Sequence, residues 1–190
     1  MKSVGILAIQ GDFYKHARAV TASGNRAIEV RTRDQLQKTD GLIIPGGEST
    51  TFLRLFKEFG LAADIRQYAQ TKPILGTCAG LIILSREANK LPFSPLGLID
   101  ISVKRNAYGR QKESFIDTIE LNLNGTTKAF QGVFIRAPKI IRTGENVRIL
   151  ALHKGEAVLV ANKNIMAATF HPELTENLEI HRYFISKFIQ

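Results

Sequence analysis

The stretch PILGTCAGLIIL, Pro73 to Leu84, carries the fold. Pro73–Thr77 is an apolar run with strand character, Ala79–Leu84 is one with helix character, and Cys78 stands between them. Its neighbours Gly76, Thr77, Ala79 and Gly80 are small. A strand that turns sharply into a helix needs small neighbours, because the turn strains the backbone and packs it closely. Such a turn lifts the thiol out of the sheet and leaves it at the helix N-terminus, where unpaired N–H groups and the positive dipole end favour a thiolate. Cys78, the only cysteine of the chain, therefore reads as a nucleophile.

Upstream, Val4–Ile9 is a strongly apolar first strand ended by Gln10-Gly11-Asp12. Phe13–Ser23 has helical spacing, with Phe13, Ala17 and Val20 on one face. Ala27–Arg31 is a second strand, and Gln35–Lys38 a short helical or irregular link. Gly41–Ile44 is a third, fully apolar strand ending in Pro45-Gly46-Gly47. Thr50–Ala69 reads as one amphipathic helix through Phe52, Leu53, Phe56, Phe59 and Leu61. Apolar strands separated by helices indicate a parallel sheet covered on both faces. Reactive groups in such sheets lie at the carboxyl ends of the strands. Pro45–Thr51 and Gly76–Gly80 fall there.

Downstream, Leu98–Arg105, Phe115–Leu121, Gly132–Ile135, Val147–Ala151, Ala157–Ala161 and Met166–Phe170 read as short strands with polar turns such as Asn122–Thr126. They imply antiparallel additions to the same sheet or a small side sheet. A helix over Glu176–Phe188 closes the chain. No repeat, low-complexity tract or linker divides it, so residues 1–190 are expected to form a single α/β domain.

Composition narrows the class. With 44% hydrophobic and 23% charged residues the chain lies in the ordinary globular range. No apolar stretch approaches the roughly 18 residues of a membrane span. MKSVGILAIQGD lacks a basic n-region and a small-residue cleavage site, so it reads as a strand and not a signal peptide. One cysteine makes no internal disulfide, and a reducing cytoplasm is the simplest home. The net charge of +9 is spread over scattered Lys and Arg, and tryptophan is absent. A solvated basic surface or an acidic protein partner accounts for it without nucleic acid.

A cysteine nucleophile needs a base, and the base an orienting group. Of the four histidines, His171 in MAATFHPEL follows an apolar strand, and Glu173 stands two residues on. In an extended His-Pro-Glu segment alternate side chains point the same way, so the carboxylate can take one ring nitrogen while the other faces the thiol. His16 in the first helix and His181 in the last are assigned to solvent or to structure, and His153 to a turn. Taken alone, a buried cysteine is ordinarily a small hydrophobe. Pro45-Gly46-Gly47-Glu48-Ser49-Thr50 places two glycines after a buried strand, where backbone N–H groups approach a ligand closely. With the Ala79 N–H they would form an oxyanion hole, each donor worth about 100- to 1000-fold in rate. Neither a Walker ending nor G-x-G-x-x-G is present.

These segments carry a resemblance. LAIQG (Leu7–Gly11), PGGESTT (Pro45–Thr51), GTCAGL (Gly76–Leu81), RNAYGRQ (Arg105–Gln111), FIRAP (Phe134–Pro138) and FHPEL (Phe170–Leu174) make the chain resemble the class I, triad-type glutamine amidotransferases. More narrowly, it is similar to the glutaminase subunits of pyridoxal 5′-phosphate synthases. The Cys plus His-x-Glu pair is common to the superfamily; PGGEST, RNAYGRQ and FIRAP are narrower. Tyr108 stands where phenylalanine is common, and Asp12–His16 is not especially family-like.

The resemblance implies a three-layer, flavodoxin-like fold and a division of labour. Cys78, His171 and Glu173 would form the triad. Gly47, Glu48, Ser49, Arg105, Ile135 and Arg136 would hold L-glutamine, with Gly47 and Ala79 at the oxyanion. An arginine fork suits the α-carboxylate. Gln10 would help order the oxyanion loop at a partner interface. The implied partner is the (β/α)8-barrel synthase subunit, fed with ammonia through a closed path. No metal or bound cofactor is expected, since one cysteine and dispersed histidines offer no cluster. A cysteine hydrolase or peptidase on the same fold, or a basic nucleic-acid-binding module, are the alternatives the residues alone leave open.

Overall fold

The computed structural model describes residues 1–107 and 114–189. The expected Arg105–Gln111 segment lies outside the described residues from Tyr108 onward.

The main sheet has nine strands. In chain order they are β1 (Ser3–Leu7), β2 (Arg26–Val30), β3 (Gly41–Ile44), β4 (Ile74–Thr77), β7 (Ser114–Leu123), β8 (Thr126–Ile135), β10 (Arg148–His153), β11 (Glu156–Ala161) and β12 (Ile165–Ala168). Their spatial order is β2-β1-β3-β4-β12-β11-β10-β7-β8. The first five are parallel. The remaining four add antiparallel. A side sheet joins β5 (Ser85–Ala88), β6 (Ile99–Lys104) and β9 (Lys139–Thr143). Both readings of the second half, additions to the sheet and a side sheet, are therefore realised.

Buried strands send alternate side chains to opposite faces. On β3, Leu42 and Ile44 enter one core and Ile43 the other; on β4, Ile74 and Leu75 divide the same way. The first core is covered by α2 (Arg33–Gln37), α3 (Ser49–Glu58), α4 (Leu61–Tyr68) and α5 (Ala79–Leu84), through Leu36, Phe52, Phe56, Ile65 and Leu81. The second is covered by α1 (Phe13–Ala22) and α6 (Glu179–Phe188), through Val20, Ile180 and Phe184. The result is the expected three-layer α/β arrangement.

Several boundaries differ from the sequence reading. The expected helix Thr50–Ala69 is two helices, because Gly60 adopts φ +68°, a left-handed conformation that ends α3 and opens α4. Its apolar spacing continues across the break, which hides it from periodicity. The last strand stops at Ala168, so Thr169 and Phe170 already belong to the approach to His171. β8 begins at Thr126, and the hairpin turn is only Asn124-Gly125, both at positive φ. β5 and β9 are strands that the sequence reading lacks.

Candidate active site

Cys78 is the N-cap of α5 at φ 49°, ψ −102°, a conformation that L-residues rarely hold. Its N–H donates to Ala168 O at 2.8 Å, which ties the turn to β12. Tight packing brings α5 close to the sheet: a Cβ on Gly80 would lie 2.1 Å from Ile44 O. The Sγ lies 3.8 Å from Ile135 O, which draws the thiol toward the end of β8.

Because β12 neighbours β4, the chain leaving Ala168 reaches the same rim as Cys78. The His171 N–H donates to Val133 O at 2.8 Å, fixing the turn against β8. His171 Nδ1 and Glu173 Oε1 are 2.7 Å apart. Pro172–Leu174 is one turn of 3-10 helix, so the two side chains meet by a tight turn and not by the extended alternation the sequence suggested. With Nδ1 on the carboxylate, Nε2 is the nitrogen left for the thiol. Burial opposes charge on the ring, but Cys78 and Glu173 outweigh it and hold its pKa at about 10. Burial likewise opposes charge on Glu173, yet His16 and His171 hold that carboxyl well below the usual range.

Around this pair opens a cleft of about 300 Å³. Gly46, Gly47, Glu48, Ser49, Cys78, Arg105, Ile135, Arg136 and His171 line it. All six residues assigned to glutamine thus share one cleft with two of the three triad members. Glu48 caps α3, accepting from the N–H groups of Thr50 at 3.1 Å and Thr51 at 2.7 Å. Despite its partial burial, these bonds and the Thr50 and Thr51 hydroxyls bring its pKa down to about 2. Arg105 Nη2 reaches the same carboxylate at 3.4 Å. Gln10 clamps the loop from the other side: its amide nitrogen donates to Glu48 O at 3.0 Å, and its oxygen accepts from Glu48 N–H at 2.7 Å. Ala79 is buried at the first turn of α5.

Two histidines assigned to solvent or structure are fully buried beside this site. His16 Nε2 lies 3.3 Å from Glu173 Oε2, and His16 Nδ1 lies 2.9 Å from His181 Nε2. The signal was present: His16 is three residues after Phe13 and four before Val20, on the stripe that faces the core. His153 pairs with Asp117 at 2.9 Å, at the end of β10 and apart from the cleft. Among the described residues, no three His, Cys, Asp or Glu side chains are arranged to hold a metal ion. Nor is any of their helices long and apolar enough to cross a membrane.

A family model described as "SNO glutamine amidotransferase family" matches residues 6–190. The chain belongs to the SNO glutamine amidotransferase family. It is 46% identical over 184 residues to the pyridoxal 5′-phosphate synthase subunit PdxT of Thermosipho africanus, covering 96% of this chain and 97% of that protein. It is 44% identical to the protein of the same name from Solibacter usitatus, covering 98% and 100%. A solved glutamine amidotransferase superposes with a TM-score of 0.90 at 44% identity, covering 96% of this chain and 97% of that one. PurLQS from Thermotoga maritima, at TM-score 0.69 and 16% identity over 94% of this chain and 92% of that one, shares the fold. The Cys78 elbow and the His171-Pro172-Glu173 turn of this chain are thus set on a scaffold shared with more distant proteins.

Proposed function

We propose that the chain hydrolyses L-glutamine to L-glutamate and ammonia, as the glutaminase subunit of a pyridoxal 5′-phosphate synthase. The carrying observation is the 2.7 Å His171–Glu173 contact at the rim where Cys78 emerges, with Cys78 and His171 in the cleft that also holds Arg105 and Arg136.

In this reading the Cys78 proton already rests on His171 Nε2, whose pKa is raised by the cysteine and Glu173, and the thiolate sulfur attacks the side-chain carbonyl carbon of glutamine. The N–H groups of Gly47 and Ala79 receive the oxyanion. His171 returns the proton to the departing nitrogen, and ammonia leaves with a γ-glutamyl thioester on Cys78. Water, deprotonated by His171, then opens the thioester to glutamate and the Cys78 thiolate, with the proton again on His171. Glu173 holds the ring in the required tautomer throughout. Glu48, Ser49, Arg105, Ile135 and Arg136 hold the amino acid, with an arginine on its α-carboxylate.

Ammonia released to water at neutral pH is lost by protonation, so a docked synthase with a closed path is the natural consumer. We assign that role to a (β/α)8-barrel subunit, met in the cytoplasm, with residues 1–190 acting as one domain. Gln10 links the oxyanion loop to that docking. The test is ammonia release from L-glutamine, alone and with the synthase subunit, for wild type and Cys78→Ala. Activity raised by the partner and abolished in the variant supports the reading; activity surviving in the variant refutes it.

A further inference from the structure

Glu173 uses one carboxylate oxygen on His171, and the other is buried against α1. Both His16 and Glu173 side chains are wholly inaccessible where Nε2 and Oε2 approach to 3.3 Å. The approach is off line, so Oε2 has no aligned hydrogen bond among the described residues. A buried carboxylate oxygen without a donor is costly, so the His16 ring is what compensates it. A carboxylate only accepts, so the His16 nitrogen facing it carries hydrogen. Thr77 Oγ1, 3.1 Å from the same nitrogen, shares that hydrogen and steadies the ring from the end of β4. Behind it, His181 Nε2 meets His16 Nδ1 at 2.9 Å, and the rings tilt at 56° with centroids 5.2 Å apart.

Three separate elements therefore converge on the back of Glu173: α1 with His16, α6 with His181, and β4 with Thr77. The catalytic turn contributes His171 on the opposite side. Lys15, Arg18 and Glu176 line the surface cleft beside Glu173. Burial, and then His16, lower the His181 pKa to about 3 against the pull of Glu173, so this ring stays neutral. Its Nδ1 has no hydrogen-bond partner among the described residues. An unfilled buried nitrogen is a poor way to build a core, where an apolar side chain would cost nothing. Its retention fits a ring whose other nitrogen is needed by His16.

We propose that His16, seated on His181, is a positioning residue that holds Glu173, and through it the His171 base, extending the triad into a five-residue buried chain. The inference rests on the Cys78–His171–Glu173 reading given above. It predicts that losing the His16 N–H loosens Glu173 and lets it protonate at higher pH, while the glutamine cleft is untouched.

The experiment compares His16→Leu with His16→Gln, whose amide nitrogen can replace Nε2, in glutamine turnover with the synthase subunit present. For His16→Leu the expected loss in kcat is on the order of 10- to 100-fold. KM should stay within about twofold, and the acid limb of kcat should move up by about one pH unit. His16→Gln should recover most of the rate and the wild-type acid limb. Unchanged kcat in His16→Leu, or equal losses in both variants with an unmoved acid limb, would overturn the proposal. Nitrogen-15 NMR of the wild-type imidazoles needs no variant to fold: hydrogen on His16 Nε2 is expected, and a bare Nε2 refutes the role. His171→Asn and Cys78→Ala serve as controls. If they retain turnover the triad reading fails; if they abolish it while His16→Leu is silent, only this inference fails.

Discussion

Gly46 lies against the ring of His171, so closely that a Cβ on Gly46 would sit 2.3 Å from Cε1 and 3.0 Å from Nδ1. The same Cβ would be 3.4 Å from Cβ of Cys78. The first glycine after β3 is thus the space that lets base and nucleophile meet. Gly46→Ala should push the ring away from Glu173 and the thiol. The expected cost is on the order of 100-fold in kcat, with about 1–3 kcal/mol of stability from overpacking. Steady-state glutaminase kinetics and urea denaturation on the same variant check both.

Gly60 provides the contrast. It has φ +68°, and a Cβ placed there would meet nothing within 4 Å, so substitution brings strain but no collision. Gly60→Ala should cost about 1–2 kcal/mol in denaturant unfolding and leave glutamine turnover unchanged.

His171 makes stability depend on alkaline pH. Its folded pKa of about 10 lies above the ordinary 6.5. Between these values the folded chain holds a proton that the unfolded chain has released, so the stabilisation is full below 6.5 and declines as pH rises through 10. Urea unfolding across roughly pH 6.5 to 10 should show this decline in wild type and a flatter profile in His171→Asn. Cys78→Ala removes one of the two influences that raise the value, so the His171 titration followed by NMR should move down.

Glu48 joins the helix to the cleft. As N-cap it accepts two backbone N–H groups, and it also meets Arg105. Glu48→Ala should lose about 1 kcal/mol from the uncapped end of α3 and raise KM for glutamine as Arg105 loses its restraint. Glutamine titration of the initial rate, beside thermal unfolding, separates the two effects.

The parallel half of the fold was legible because Leu42–Ile44 and Ile74–Leu75 are apolar without interruption, which only a doubly covered strand requires. Two of the side sheet's strands were not, since Ser85–Ala88 and Lys139–Thr143 are short and carry charges that a partly exposed strand tolerates. The α3–α4 break escaped because Leu61 and Ile65 continue the stripe of Phe52 and Phe56 beyond Gly60. In the site, Cys78, His171 and Glu173 announced themselves by motif, and the turn that joins the last two emerged only from the folded chain. His16 and His181 lie far apart in sequence and are brought together by the α1–α6 contact, a tertiary fact that no local pattern encodes.

Attack of Cys78 on glutamine in this cleft is the step from which the rest follows. A chloroketone analogue of L-glutamine tests it most directly, because the chain has a single cysteine to alkylate. Intact-mass and peptide analysis should show one adduct on the peptide holding Cys78, formed in step with the loss of glutamine-dependent ammonia release and slowed by excess L-glutamine. Full alkylation of Cys78 with ammonia release undiminished would contradict the account.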